Sequence, residues 1–158
     1  LDIGGGMGKL FYRGPWGKKL VRVEGASISL NEIENRILRP IWNDPRIHYA
    51  VNCAAYSCPN LALTPFDAST MNARLNQAAI AYINNPRGAR IENHKLYVSS
   101  IYVWYKEDFG TTDQHIINHL IKFAQPALKK QLETIHVISG HDYSWKLNCV
   151  SKKAAHTE

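Results

Sequence analysis

Arg46-Ile-His48-Tyr-Ala-Val-Asn-Cys53-Ala-Ala-Tyr-Ser-Cys58-Pro59 sets one imidazole and two thiols along a β-branched apolar run that ends in a turn. These side chains can serve as general base, nucleophile, metal ligand or disulfide partner. A thiol must lose its proton near neutral pH to attack, and a nearby imidazole, oriented by a carboxylate or amide, takes it. Read as a strand over Ile47 to Asn52, the segment holds His48 and Cys53 on the order of 16 Å apart, on opposite faces. Cys58 is differently placed, because the turn at 54–57 can fold it back beside His48. It also directly precedes Pro59, where a turn or helix start offers backbone N–H groups to a thiolate or oxyanion. The preferred constellation is Cys58 as nucleophile, His48 as base and Glu34 as orienter of the ring, with Cys53 the second candidate thiol. The plainer alternative is a core cysteine, a satisfied core histidine and a helix carboxylate paired with Arg39 or Arg46. Buried cysteines are common and usually inert, which favours the plainer reading on spacing alone.

Glu34 is singled out by the helix that carries it. Ser29-Leu-Asn-Glu32 is a capping box, a serine N-cap with a glutamate three residues on. Leu30, Ile33, Ile37 and Ile41 then form one stripe, and the helix is expected to stop near Pro40. Glu34 lies four after Leu30 and three before Ile37, so its carboxylate points along the apolar stripe. A charge there requires a partner.

Metal binding has weaker support. His115 and His119 share one helical face, but Ile116 stands where the metalloprotease pattern needs its glutamate. His48, Cys53 and Cys58 match no standard zinc spacing. The glycines near the start lack the Lys-Ser/Thr of a phosphate loop. No metal and no cofactor is expected.

The elements that must position these groups read as α+β. The 158 residues, 45% apolar, suit one domain with a real core. Residues 1–25 look like an extended Gly-rich and basic lead-in, with a short strand at 20–23. Residues 26–150 form the domain and 151–158 a tail. A second helix is expected from Asp67 or Ser69 to about Asn84, and a hairpin from Ala89 to Ser99. Helical stripes follow at 101–109, 113–124 and 126–133, with closing strands at 135–138 and 143–147. The result is a mixed, mainly antiparallel sheet packed with helices.

The net charge of +6 is scattered, with no basic stripe interleaved with aromatics, so no nucleic-acid partner is expected. No run is apolar enough to span a membrane. Leu1-Asp-Ile-Gly is neither a signal peptide nor a start methionine, which reads as a mature or trimmed product. Cys53 and Cys58 would close a small loop in an oxidising compartment and remain thiols in the cytosol, with Cys149 left over.

Several of these segments occur together, in order, in one family. They are Ser29-Leu-Asn-Glu-Ile-Glu34-Asn-Arg-Ile-Leu-Arg-Pro40, Asp44-Pro-Arg-Ile-His48-Tyr-Ala-Val-Asn-Cys53, Ser57-Cys58-Pro-Asn-Leu61, Ser99-Ser-Ile-Tyr-Val-Trp104-Tyr-Lys-Glu-Asp108-Phe-Gly110 and Tyr143-Ser-Trp-Lys-Leu-Asn148. Over roughly residues 10 to 148 the chain resembles the family called domain of unknown function 547. The resemblance implies distant kinship with papain- and transglutaminase-like cysteine enzymes, and a periplasmic or secreted location. It places Glu34, His48, Cys53 and Cys58 at motif positions. The expected function is then a thiol-dependent hydrolase or transferase acting on amide or thioester bonds of a small peptide-like ligand. The alternative is a non-catalytic binding or scaffold domain with structural Cys and His. Family members carry a preceding helical portion with an Asn-x-Tyr-Asn-like motif that is absent here, so an upstream segment or partner chain is expected to complete the domain.

Overall fold

The computed structural model describes residues 15–148. Most of the expected lead-in, the tail and Cys149 lie outside the described residues. After a 3-10 turn at Pro15–Gly17, strands β1 (Val21–Val23) and β2 (Ala26–Ile28) form an antiparallel hairpin. Its turn uses Glu24 at φ 48° and Gly25 at φ 84°, the left-handed pair that matches strand twist. The expected strand at 20–23 is therefore present, but the boundary drawn at residue 25 falls inside a hairpin.

Helix α1 spans 30–42. The capping box forms as the sequence predicts: Glu32 N–H donates to Ser29 Oγ at 3.1 Å, and Ser29 N–H to Glu32 Oε2 at 2.9 Å. Its middle, Ile33–Leu38, is wound as a π-helix, with Arg39 N–H reaching back to the Glu34 carbonyl. This wider turn accommodates the Pro40 ring, so the helix continues to Trp42 and ends at Asn43, φ 47°.

The strand expected at Ile47 to Asn52 is instead a 3-10 turn, Pro45–Tyr49. Asp44 caps it by accepting from Arg46 N–H at 2.9 Å, and Pro45 occupies the first helical position. These start signals outweigh a β-branched pattern carried only by Ile47 and Val51. Ile47, His48 and Tyr49 are buried consecutively, which no one-faced strand allows.

Helix α2 (Met71–Ile83) follows Asp67, whose carboxylate accepts from Thr70 N–H. Strands β3 (Ala89–Glu92) and β4 (Lys95–Ser99) form the expected hairpin about Asn93 and His94, both at positive φ. The short helices α3 (Ile101–Trp104) and α4 (Lys106–Phe109) carry the aromatic cluster. Helices α5 (Asp113–Phe123) and α6 (Pro126–Leu132) come next, and β5 (Ile138–Asp142) joins β4 in parallel. The two closing strands expected at 135–138 and 143–147 are thus one strand between them. Residues 144–148 instead run extended beside 54–57, with a single bridge from Ala55 to Leu147. The class is α+β, with mainly antiparallel pairing. Tyr49, Ile83, Leu96, Tyr102, Ile117 and Leu120 form the centre of its core.

Gly88 closes the turn after α2 so tightly that a Cβ there would meet the Tyr82 carbonyl oxygen at 2.1 Å. Backbone cannot yield as a side chain does. Gly88→Ala is expected to lower stability by about 2 kcal/mol through forced displacement of the end of α2. An unchanged denaturation midpoint would show that the turn gives way freely.

Candidate active site

The loop 53–58 brings the two cysteines together, and its backbone is held from several directions. Asn52 Oδ1 accepts from Ala54 N–H at 2.8 Å, and Asn52 Nδ2 donates to the Pro59 carbonyl at 2.6 Å. Ser57 N–H donates to the Ser144 carbonyl at 3.2 Å, and Ser144 N–H to Ser57 Oγ at 2.8 Å. The Tyr82 hydroxyl donates to the Ser57 carbonyl at 2.6 Å, and Arg87 to the Tyr56 carbonyl at 2.8 Å. This frame sustains Ala54 at φ 62°, a conformation that costs a residue with a Cβ about 1 kcal/mol.

Within the loop, the Cys53 and Cys58 sulfurs lie 3.0 Å apart. Cys53 N–H donates to Cys58 Sγ at 2.9 Å, and the Tyr143 hydroxyl is 3.1 Å from Cys53 Sγ. Two thiols this close do not both ionise, so the pair carries at most one charge. That charge settles on Cys53. Its bond to Cys58, aided by Tyr143, pulls Cys53 down to about 6 against the effect of burial. The bond to Cys53 and burial push Cys58 up. The Cys53 N–H favours charge on Cys58, but Cys58 is only 4% exposed while Cys53 keeps partial access. Cys58, the nucleophile expected from the sequence, is thus the buried partner, and Cys53 the accessible thiol.

Both cysteines line a cavity of about 370 Å³. Its walls are mostly apolar, including Trp104, Tyr105 and Trp145. Trp104, Tyr143 and Trp145 pack against one another with ring centroids 4.8 to 5.6 Å apart. Glu34 and His48 also line this space, so all four sequence-predicted residues border one cavity.

His48 is oriented by a carboxylate, but that carboxylate is Asp108 and not Glu34. His48 Nε2 donates to Asp108 Oδ2 at 2.7 Å, and Arg39 grips the same carboxylate with Nε and Nη2 at 2.5 and 3.0 Å. The ring, 1% exposed, lies under Tyr105 and beside Phe109. Burial lowers the His48 pKa despite Asp108, so the ring is neutral at neutral pH. Burial works to raise the Asp108 carboxyl, and the bonds from Arg39 and His48 more than offset it, holding it low. An ionised Asp108 fixes the proton on Nε2 and leaves Nδ1 as the basic nitrogen. Among the described residues, the ring hydrogen-bonds neither sulfur. Glu34 faces the Tyr105 hydroxyl, which burial and that carboxylate push up.

In the sequence Asp108 enters only as part of the motif at 99–110. Its setting among Trp104, Tyr105 and Phe109 carried the better signal, since a carboxylate in apolar company needs a cation or donor close by. Tyr143 was assigned to a strand, and nothing in its spacing ties it to Cys53. His115 and His119 have separate surroundings: His115 is exposed beside Gly110, while His119 Nε2 shares a 2.8 Å hydrogen bond with the Tyr49 hydroxyl. No group of three or more potential metal ligands occurs among the described residues, and none of their helices is long and apolar enough to cross a membrane.

No curated protein and no solved structure matches the chain. A sequence match to a family model ends at Ile83, short of the motifs that contain Asp108 and Tyr143. Over residues 8–83, which hold Glu34, His48, Cys53 and Cys58, the chain matches the family described as protein of unknown function, DUF547, the family its motifs indicate.

Proposed function

We propose that the chain is a thiol-dependent transferase or hydrolase acting on an amide or thioester bond of a small peptide-like compound, with Cys53 as nucleophile. The observation that carries this reading is the placement of Cys53 Sγ between Cys58 and the Tyr143 hydroxyl at the wall of the cavity. A thiol with a pKa of about 6 is mostly thiolate at neutral pH and needs no base to become one. Its attack on the carbonyl carbon forms a C–S bond and an oxyanion within reach of the Tyr143 hydroxyl. Collapse breaks the C–N or C–S bond of the substrate; a thiol leaves as thiolate, and a leaving amine takes its proton from solvent water. Water or an amine then attacks the acyl-enzyme and returns Cys53 to thiolate, with His48 Nδ1 as acceptor of the proton of that second nucleophile. The implied kinship with papain- and transglutaminase-like enzymes belongs to this proposal, as does a periplasmic or secreted location. An upstream segment or partner chain that completes the cavity wall fits the same reading.

The test is alkylation by iodoacetamide in a Cys149→Ser background. One fast site is expected, mapped to Cys53, with a rate that rises through a midpoint near pH 6. Cys53→Ser should remove this phase and any thioester turnover. Slow labelling of both cysteines at neutral pH, speeding up only on denaturation, would reject the nucleophile.

One observation favours the alternative of a non-catalytic binding domain: His48 is engaged by Asp108 and hydrogen-bonds neither sulfur. On that reading Cys53→Ser leaves ligand affinity unchanged and no thioester is turned over.

A further inference from the structure

We propose that Cys53 and Cys58 are a working dithiol: Cys53 attacks a low-molecular-weight disulfide, and Cys58 resolves the mixed disulfide by closing a Cys53–Cys58 bond. This goes beyond acyl transfer, in which Cys53 is the one sulfur that reacts.

The argument begins with the asymmetry of the pair. Dithiol exchange passes through a mixed disulfide on the thiol that meets the substrate, which a second thiol beside it then resolves. Both cysteines border the cavity, but Cys53 is partly exposed whereas Cys58 is only 4% exposed. The sulfurs are already 3.0 Å apart, closer than unbonded sulfurs rest, and a covalent bond at about 2.05 Å needs roughly 1 Å more. The loop between them is pinned by Asn52, Ser57, Tyr82 and Ser144, so the approach requires side-chain rotation and little backbone movement.

Each half of the cycle has a group suited to it. In the first, the Cys53 thiolate attacks one sulfur of R–S–S–R′. A Cys53–S–R bond forms, the S–S bond of the substrate breaks, and R′S⁻ departs to be protonated in solvent. Cys53 then carries no charge, so the repulsion that kept Cys58 protonated is removed. In the second half the Cys58 proton passes through solvent to the small thiolates released, and the Cys53 N–H, 2.9 Å from Cys58 Sγ, stabilises the new thiolate. Cys58 attacks Cys53 Sγ, the Cys53–S–R bond breaks, and RS⁻ leaves. Two thiols of the protein are oxidised and one small disulfide is reduced, so electrons balance. The lowered pKa of Cys53 and the raised pKa of Cys58 agree with these roles.

The cavity indicates the kind of disulfide. About 370 Å³ lined by Trp104, Tyr105 and Trp145 suits a compact molecule with an aromatic or apolar arm. Glu34 at the same wall disfavours a strongly anionic one.

The experiment uses the full chain as Cys149→Ser, reduced and then mixed with excess dithiodipyridine, a neutral aromatic disulfide. Two thiopyridone molecules should be released per chain, with no adduct left on the protein and Cys53 linked to Cys58 by peptide mapping. Cys58→Ser should release one and retain a stable adduct on Cys53; Cys58→Ala serves as a second variant should serine perturb the buried site. Retention of adducts on the Cys149→Ser protein, without an internal link, would overturn the dithiol. In that event fast alkylation of Cys53 would still support acyl transfer, so the two readings fail separately. Protein disulfide products that appear only after denaturation would likewise count against exchange in the folded chain.

Discussion

Asp108→Ala is expected to lower folding stability by about 3 kcal/mol, read as a shifted denaturation midpoint at constant slope. Two losses combine. His48, 1% exposed, would keep a buried Nε2–H with no acceptor, and Arg39 would lose both of its carboxylate bonds. The ion pair contributes the smaller part, since Arg39 and Asp108 side chains are 24% and 21% exposed and solvent screens them. The imidazole bond contributes the larger part, because the ring is 1% exposed and its Nε2–H loses a charged acceptor. Asp108→Asn separates the two, as its amide oxygen still accepts from His48 while the charge is gone. A cost of about 1 kcal/mol is expected there. If the alanine variant lost less than about 0.5 kcal/mol, within the range of an ordinary surface change, Asp108 would not be the group that holds the ring.

The same residue shows where sequence reasoning ran out. Local signals were legible: the capping box at Ser29 and Glu32, the helices at 71–83, 113–123 and 126–132, and the hairpin of β3 and β4 all follow from periodicity and turn residues. For His48 the sequence offers Glu34 as the orienting carboxylate, and the ring instead meets Asp108. Which carboxylate it meets depends on contacts sixty positions apart, created when α4 packs across the Pro45–Tyr49 turn. Glu34 had the clearer local pattern, but the π turn changed the register of its helix, and Asp108 came from a segment with no such pattern.

The thiols illustrate a second limit. Spacing allowed either cysteine to be the reactive one, and the nearness of Pro59 favoured Cys58. The neighbouring 143–148 segment bridges Ala55 and brings the Tyr143 hydroxyl to Cys53, a contact that the spacing of the cysteines does not contain. Strand reading of 47–52 also failed because Asp44 and Pro45 start a helical turn, and two β-branched residues do not override that. With the turn in place, His48 faces into the molecule and its neighbour Tyr49 meets His119. That one turn therefore positions two separate polar networks, His48 with Asp108 and Tyr49 with His119.

That second network gives the other large effect, a loss of stability of about 3 kcal/mol as pH falls from 6.5 to about 4. Burial, with Lys122 adding to it, lowers His119 from 6.5 to about 4. The unfolded chain therefore takes up a proton at a pH where the folded chain still refuses it. Stability contributed by the neutral ring is complete above the unfolded value, declines below it, and is spent once pH passes the folded value. His48, lowered by burial as well, acts in the same direction. Asp108 and Asp44 are held low, so their contributions disappear only below the ordinary carboxylate value of 3.8, as a later and separate limb. His119→Gln retains a side chain able to bond the Tyr49 hydroxyl but cannot titrate. Its stability measured by denaturation should fall much less between pH 6.5 and 4, leaving mainly the share due to His48. An identical slope in the variant and the parent chain over that interval would mean that His119 already takes up its proton in the folded state.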